Sequence, residues 1–177
     1  DAHPCQTLAD LLTLRQHFGQ LKGRVLAYVG DGNNVCTSLM LGAVMEHMEI
    51  RVATPAAYAP ASASVERARD RGDVLVTDDP VAAVTGADAV YTDVWASMGQ
   101  EGEADRRREA FAGFTVDERL MEAAAPDAVF LHCLPAHRGE EVSAAVLEGP
   151  RSLVWQQAEN RLHAQRGLLY WLLVEDL

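Results

Sequence analysis

Short apolar runs alternate along this chain with longer amphipathic stretches, and that alternation restricts the fold more than any other feature. The runs are RVLAYVG (Arg24 to Gly30), IRVATP (Ile50 to Pro55), DVLVT (Asp73 to Thr77), DAVYTDV (Asp88 to Val94), AVFLHCL (Ala128 to Leu134) and SLVW (Ser152 to Trp155). They are predicted as buried strands. Ahead of the first run, Leu8, Leu11, Leu12 and Phe18 share one face of a helix that Gly19 ends. Further helices are predicted over Asn34 to Met48 and Ser62 to Arg71, and the polar stretch GQEGEADRRREAF (Gly99 to Phe111) reads as a solvated loop running into a helix. Strand and helix alternating in this way require parallel strands joined by right-handed crossovers. The expected fold class is α/β, a doubly wound, mainly parallel sheet with helices on both faces (Rossmann-like).

Composition narrows the partners. At 177 residues with 49% hydrophobic and 23% charged content, the chain can bury one sizeable core. The net charge is -11 and Lys22 is the only lysine, so no basic stripe exists to neutralise a nucleic-acid backbone or an anionic membrane. No apolar stretch approaches the roughly 20 residues that span a bilayer. Three cysteines, Cys5, Cys36 and Cys133, form too sparse a set for a disulfide framework and point to a reducing, cytoplasmic setting. The N-terminal DAHPCQ lacks an export signal and an initiator methionine, so the chain is read as a processed product or a fragment.

An open parallel sheet binds ligands at the carboxyl ends of its strands. Four polar segments fall there: GDGNN (Gly30 to Asn34), DVWASMG (Asp93 to Gly99), HCLPAHR (His132 to Arg138) and QQAENR (Gln156 to Arg161). GDGNN resembles a dinucleotide fingerprint only in part, because Val35 occupies the third glycine position and the second strand ends without an acid. A nicotinamide cofactor is therefore not expected. Asn33 is the natural helix N-cap, and Asn34 could offer its amide to a carboxylate. Asp93 is either a turn or cap residue or a negative charge for an ammonium group, with Ser97 beside it; Met98 is by default a core filler.

HCLPAHR leaves more than one chemistry open. His132, Cys133 and His137 lack the paired spacing expected of a zinc site. A nucleophilic thiolate needs a base or cation nearby, and His132 and Cys133, as consecutive strand residues, point to opposite faces. A buried structural cysteine remains an alternative. Pro135 removes a backbone donor, leaving the carbonyls of Cys133 and Leu134 to face the crevice.

HPCQTLADLLTL, YVGDGNN, YTDVWASMGQE, HCLPAHRGEE and QAENRLHAQRGLLYWLL, taken together and in this order, resemble the ornithine carbamoyltransferases. The resemblance covers the whole chain and implies the C-terminal, ornithine-binding half of a subunit: an interdomain helix (1–22), an α/β domain (23–155) and a C-terminal helix (156–177) returning to a carbamoyl-phosphate domain. It implies transfer of a carbamoyl group from carbamoyl phosphate to ornithine in arginine biosynthesis, with no cofactor or metal, in homotrimers when full length. It places His3, Pro4, Cys5, Gln6, Cys133, Leu134 and Arg161 on carbamoyl phosphate. Ornithine falls to Asn34, Asp93, Ser97 and Met98, and Cys133 is the catalytic group, as base or as a positioner of the amine. The family's phosphate-binding Ser-x-Arg-Thr-Arg loop does not occur in these residues, which leaves an isolated, non-catalytic binding half as the alternative, besides a carbamoyltransferase for putrescine or acetylornithine.

Overall fold

The computed structural model describes residues 2–96 and 101–174. Ser97 and Met98, two of the expected ornithine contacts, lie outside the described residues. Besides two 3-10 helices at Ala56–Tyr58 and Glu101–Glu103, thirteen α-helices and β-strands are defined among the described residues. They run α1 (Pro4–Phe18), β1 (Val25–Val29), α2 (Asn34–Met45), β2 (Glu49–Ala53), α3 (Ser62–Arg69), β3 (Val74–Thr77), α4 (Pro80–Val84), β4 (Ala89–Thr92), α5 (Ala104–Ala110), α6 (Glu118–Ala123), β5 (Val129–His132), α7 (Ala144–Leu147) and α8 (Val154–Val174). The strands form one parallel sheet in the order β3-β2-β1-β4-β5. The chain therefore winds outward from β1 in one direction and then crosses to β4 on the other side. The gap between β1 and β4 is the topological switch point, where ligands of such sheets bind.

Two apolar layers cover the sheet. Tyr28, Leu39, Met40, Ile50 and Tyr91 lie in one, Val29, Val90, Phe111, Phe130 and Val154 in the other. Alternate strand residues feed opposite faces, as the pleat demands. Asn33 caps α2, its side chain accepting from the amides of Val35 and Cys36. Asp79, Asp117 and Ser143 cap α4, α6 and α7 in the same way.

Three expectations change. SLVW does not form a sixth strand: Ser152 makes a single bridge to Phe130, and Val154 and Trp155 already belong to α8. Only Arg151, Ser152 and Leu153 lie between Pro150 and the start of α8 at Val154, whose Gln157 and Asn160 dock against α1. QQAENR is accordingly helical, not a loop. The predicted leucine face of α1 is also not the buried one, since Leu8 is 41% exposed while Gln6, Ala9, Asp10, Thr13 and Leu14 are buried. A polar seam against α8 takes that place, with Gln157 donating to Asp10 and Asn160 donating to Thr13 across the two helices. Helices α4, α6 and α7, each six residues or fewer, carry too little periodicity to be predicted.

Candidate active site

The site begins at Asp93, the first residue beyond β4 at the switch point, where it is 6% exposed. Its Oδ2 accepts from the Asn33 side-chain amide at 2.8 Å. Oδ1 accepts from the Cys133 thiol at 2.9 Å and from the Val94 amide at 2.8 Å. The ends of β1, β4 and β5, three adjacent strands, are thus joined through one carboxylate. Asn33 serves twice, as cap through its oxygen and as donor to Asp93 through its nitrogen. Asn34, the expected partner of a carboxylate, is the first residue of α2, and its side chain makes no hydrogen bond among the described residues. Asn33 was legible as a cap alone.

Burial, and after it the Asp93 carboxylate, pushes the Cys133 thiol well above its ordinary range. The group beside Asp93 is therefore a neutral thiol donating a proton, not a thiolate. His132 is not its partner. The His132 ring accepts from the Leu134 amide at Nδ1 (2.8 Å), which leaves the proton on Nε2 to be donated to Glu141 at 3.1 Å. Glu141, fully buried, also accepts from the His137 amide at 2.6 Å. Arg138 pairs with Glu148. His137 and Arg138 thus hold the loop in shape. Leu134 stands at φ 57 before Pro135, and nothing among the described residues donates to the carbonyls of Cys133 or Leu134.

Ligand atoms of Asp93, His132 and Cys133 come within 4.8 Å of one another, as do those of His137, Glu140 and Glu141. In the first set both ring nitrogens of His132 are engaged and the thiol keeps its proton for Asp93. In the second, Glu140 pairs with Arg108 and Glu141 with His132. Both donor sets suit hydrogen-bonded supports better than a metal ion.

HPCQ forms the start of α1. The His3 amide donates to Ser38 Oγ on α2 at 2.7 Å, and Pro4 occupies the first turn, where its missing N–H is harmless. Cys5 is half-buried and free. Gln6 is 1% exposed; its nitrogen donates to Asp10 at 2.8 Å, and its oxygen accepts from Arg161 of α8 at 2.5 Å. The Arg161 Nε is buried without a partner among the described residues. Gln6 and Arg161 are therefore brought together.

The loop after β1 also contributes. Asp31 accepts from Arg107 of α5 at 2.8 Å, and Arg107 donates further to the Trp95 carbonyl at 2.6 Å while its guanidinium lies 4.8 Å from the Tyr58 ring centre. Burial raises the Asp31 carboxyl, and Arg107 opposes that rise. Gly32 is small for packing: a Cβ there would lie 2.3 Å from the Pro60 nitrogen. The charge pair and the close packing leave no phosphate cradle in GDGNN. Arg107 lay unread inside a charged run whose periodicity does not separate buried from solvated arginines.

A doubly wound α/β domain that gathers a carboxylate and a neutral thiol at the carboxyl ends of its strands has the architecture of the α/β ligand-binding domains. Residues 22–172 match the sequence model described as Aspartate/ornithine carbamoyltransferase, Asp/Orn binding domain. The chain belongs to that family. It is 59% identical to an ornithine carbamoyltransferase of Symbiobacterium thermophilum, over 96% of this chain and 56% of the relative, and 56% identical to that of Nostoc punctiforme over 94% and 56%. The solved ornithine carbamoyltransferase from Pyrococcus furiosus superimposes with a TM-score of 0.90 at 49% identity, covering 96% of this chain and 56% of the other. An N-acetyl-L-ornithine transcarbamylase gives a TM-score of 0.83 at 31% identity, covering 95% and 55%. The chain spans little more than half the length of the relatives it matches.

Proposed function

We propose that this chain is the amino-acid-binding half of an ornithine carbamoyltransferase, which converts carbamoyl phosphate and L-ornithine to L-citrulline and phosphate. The observation that carries this reading is the joining of Asn33, Asp93 and Cys133 at the switch point. Asp93 supplies the charge for the α-ammonium, with Asn34, Ser97 and Met98 completing the ornithine pocket. Carbamoyl phosphate enters between the start of α1 and Arg161. His3 and Arg161 meet the carbonyl oxygen on which attack builds negative charge. Gln6, Cys133 and Leu134 offer acceptors to the carbamoyl amide; Pro4 and Cys5 shape the turn.

The side-chain amine of ornithine, with an intrinsic pKa near ~10 like lysine, attacks as the neutral base. Its lone pair forms the C–N bond while the C–O bond to phosphate breaks, and the proton lost from the nitrogen goes to the departing phosphate. A thiol held neutral by burial is a poor proton acceptor; Cys133 therefore positions the amine, and desolvation of the closed site favours its neutral form. The family likeness supports a role in arginine biosynthesis, a cytoplasmic setting and a homotrimeric full-length enzyme. Residues 1–22 bridge the two domains, 23–155 form the ornithine-binding domain, and 156–177 return to the carbamoyl-phosphate domain.

Citrulline formation by the full-length polypeptide, with ornithine, putrescine and acetylornithine compared side by side, tests the reading. Ornithine turns over fastest. Preference for acetylornithine, to whose transcarbamylase this chain is also similar, would replace ornithine as the substrate. The phosphate-binding loop is absent from these residues, so the 177-residue chain alone forms no citrulline in the same assay.

A further inference from the structure

We propose that Asp10 is a positioning residue that sets the orientation of two carboxamides at once, Gln6 on the carbamoyl-phosphate side and Gln157 beneath the strand that carries Cys133. The inference rests on the carbamoyltransferase reading. Asp10 is fully buried between α1 and α8. One of its oxygens, Oδ1, accepts from Gln6 Nε2 at 2.8 Å and from Gln157 Nε2 at 2.6 Å; the other, Oδ2, is buried without a partner among the described residues.

A carboxylate can only accept, so each carboxamide must turn its nitrogen to Asp10 and its oxygen away. The Gln6 oxygen then meets Arg161 at 2.5 Å. That of Gln157 takes the His132 amide at 2.9 Å, one residue before Cys133. Without Asp10 either amide could flip, placing its NH2 against Arg161 or against the His132 N–H, a donor facing a donor. Gln157 also donates to the Tyr91 hydroxyl at 3.2 Å, but a hydroxyl can turn to donate instead, so the Asp10 oxygen, which only accepts, is the group that fixes both amides.

Arg161 from α8, Tyr91 from β4 and Cys133 after β5 are the other titratable groups near Asp10. Burial raises its pKa to about 7, against the pull of Gln6, Gln157, Tyr91 and Arg161. Protonation at the unpartnered Oδ2 would leave Oδ1 accepting both amides, so the lock depends on the acceptor and not on the charge.

The test compares Asp10→Ala, Asp10→Asn and Gln157→Met in the full-length enzyme, with thermal unfolding as the control for folding. Asp10→Ala lowers kcat/KM for carbamoyl phosphate on the order of a hundredfold, the scale of an angstrom-sized misplacement of reacting groups. Asp10→Asn, which keeps an acceptor, restores turnover to within about threefold of wild type. Gln157→Met, which leaves the His132 amide before Cys133 without its acceptor, lowers kcat by about tenfold with its unfolding temperature near that of wild type. Equal losses in Asp10→Ala and Asp10→Asn would overturn the inference, as would activity losses that merely follow the unfolding temperature. Should Asp10→Ala not fold, the remaining two variants decide: loss of activity in Asp10→Asn, or an unchanged kcat in Gln157→Met, would overturn it. Absence of citrulline formation by the wild-type enzyme would instead overturn the carbamoyltransferase reading.

Discussion

At Cys133 a side chain that suggests nucleophilic chemistry is set up to donate. The thiol faces a carboxylate, not a base, and both its burial and Asp93 hold the proton on sulfur. Cys133→Ser retains a donor to Asp93, so turnover falls while the acidic limb of the pH–kcat profile stays where it is. A displaced limb would reassign the base to the thiol. Asp10 gives a second pH signature, in stability. Its folded pKa of about 7 lies above the ordinary 3.8, so the native state holds the proton more tightly than the unfolded chain. The contribution is present at low pH, is lost as pH rises from about 4 to about 7, and is constant above that. Three units correspond to at most roughly 4 kcal/mol. Urea unfolding of wild type should lose stability across that window, and Asp10→Asn should flatten much of the slope. Asp31, also raised by burial, keeps a remainder with the same sign.

Helices and loops reach the site through charges whose partners lie far away in sequence. Arg107 of α5 holds the loop after β1 through Asp31 and the segment after β4 through Trp95. Arg107→Met would leave Asp31 buried without its counter-charge and should destabilise the domain by about 3–5 kcal/mol, measured as the shift in the urea midpoint. The strands at Val25, Glu49, Val74, Ala89 and Val129 were legible because continuous apolar runs have few other uses in a chain with this alternation. Asp93 and Cys133 were legible because strand ends of a parallel sheet are where polar residues need a reason. The misread parts share a cause. SLVW has a strand's composition but α8 claims two of its residues, and α1 buries Gln6, Asp10 and Thr13 beside Leu14 while Leu8 is exposed. In both cases pairing with a distant helix overrides local pattern. Arg107 and the Asp10 relay were invisible for the same reason, since a buried ion pair or amide network has no period.

Across the whole molecule, α1 and α8 lie together as the two ends of the described chain, and only one side of α8 is covered. Its buried residues are Val154, Gln157 and Asn160. Trp155, Leu162 and Leu169, spaced seven apart, and Leu172 and Leu173 beyond them are all more than half exposed. Seven-residue spacing keeps side chains on one stripe of a helix, so Trp155, Leu162 and Leu169 line one side of α8 with Glu159 and Arg166 between them, and the apolar surface is contiguous where Leu169, Leu172 and Leu173 meet. Contiguous apolar surface of this kind is rarely left in water, and the net charge of -11 opposes association only weakly at physiological salt, where screening acts over about 8 Å. The 177-residue chain should therefore self-associate as its concentration rises, seen as an increase in weight-average mass in sedimentation equilibrium. Leu162→Glu combined with Leu169→Glu places two charges in the strip without touching the α1 contacts, and should return the chain to a monomer with its thermal unfolding little changed. Association that survives both substitutions would locate the contact surface elsewhere than α8.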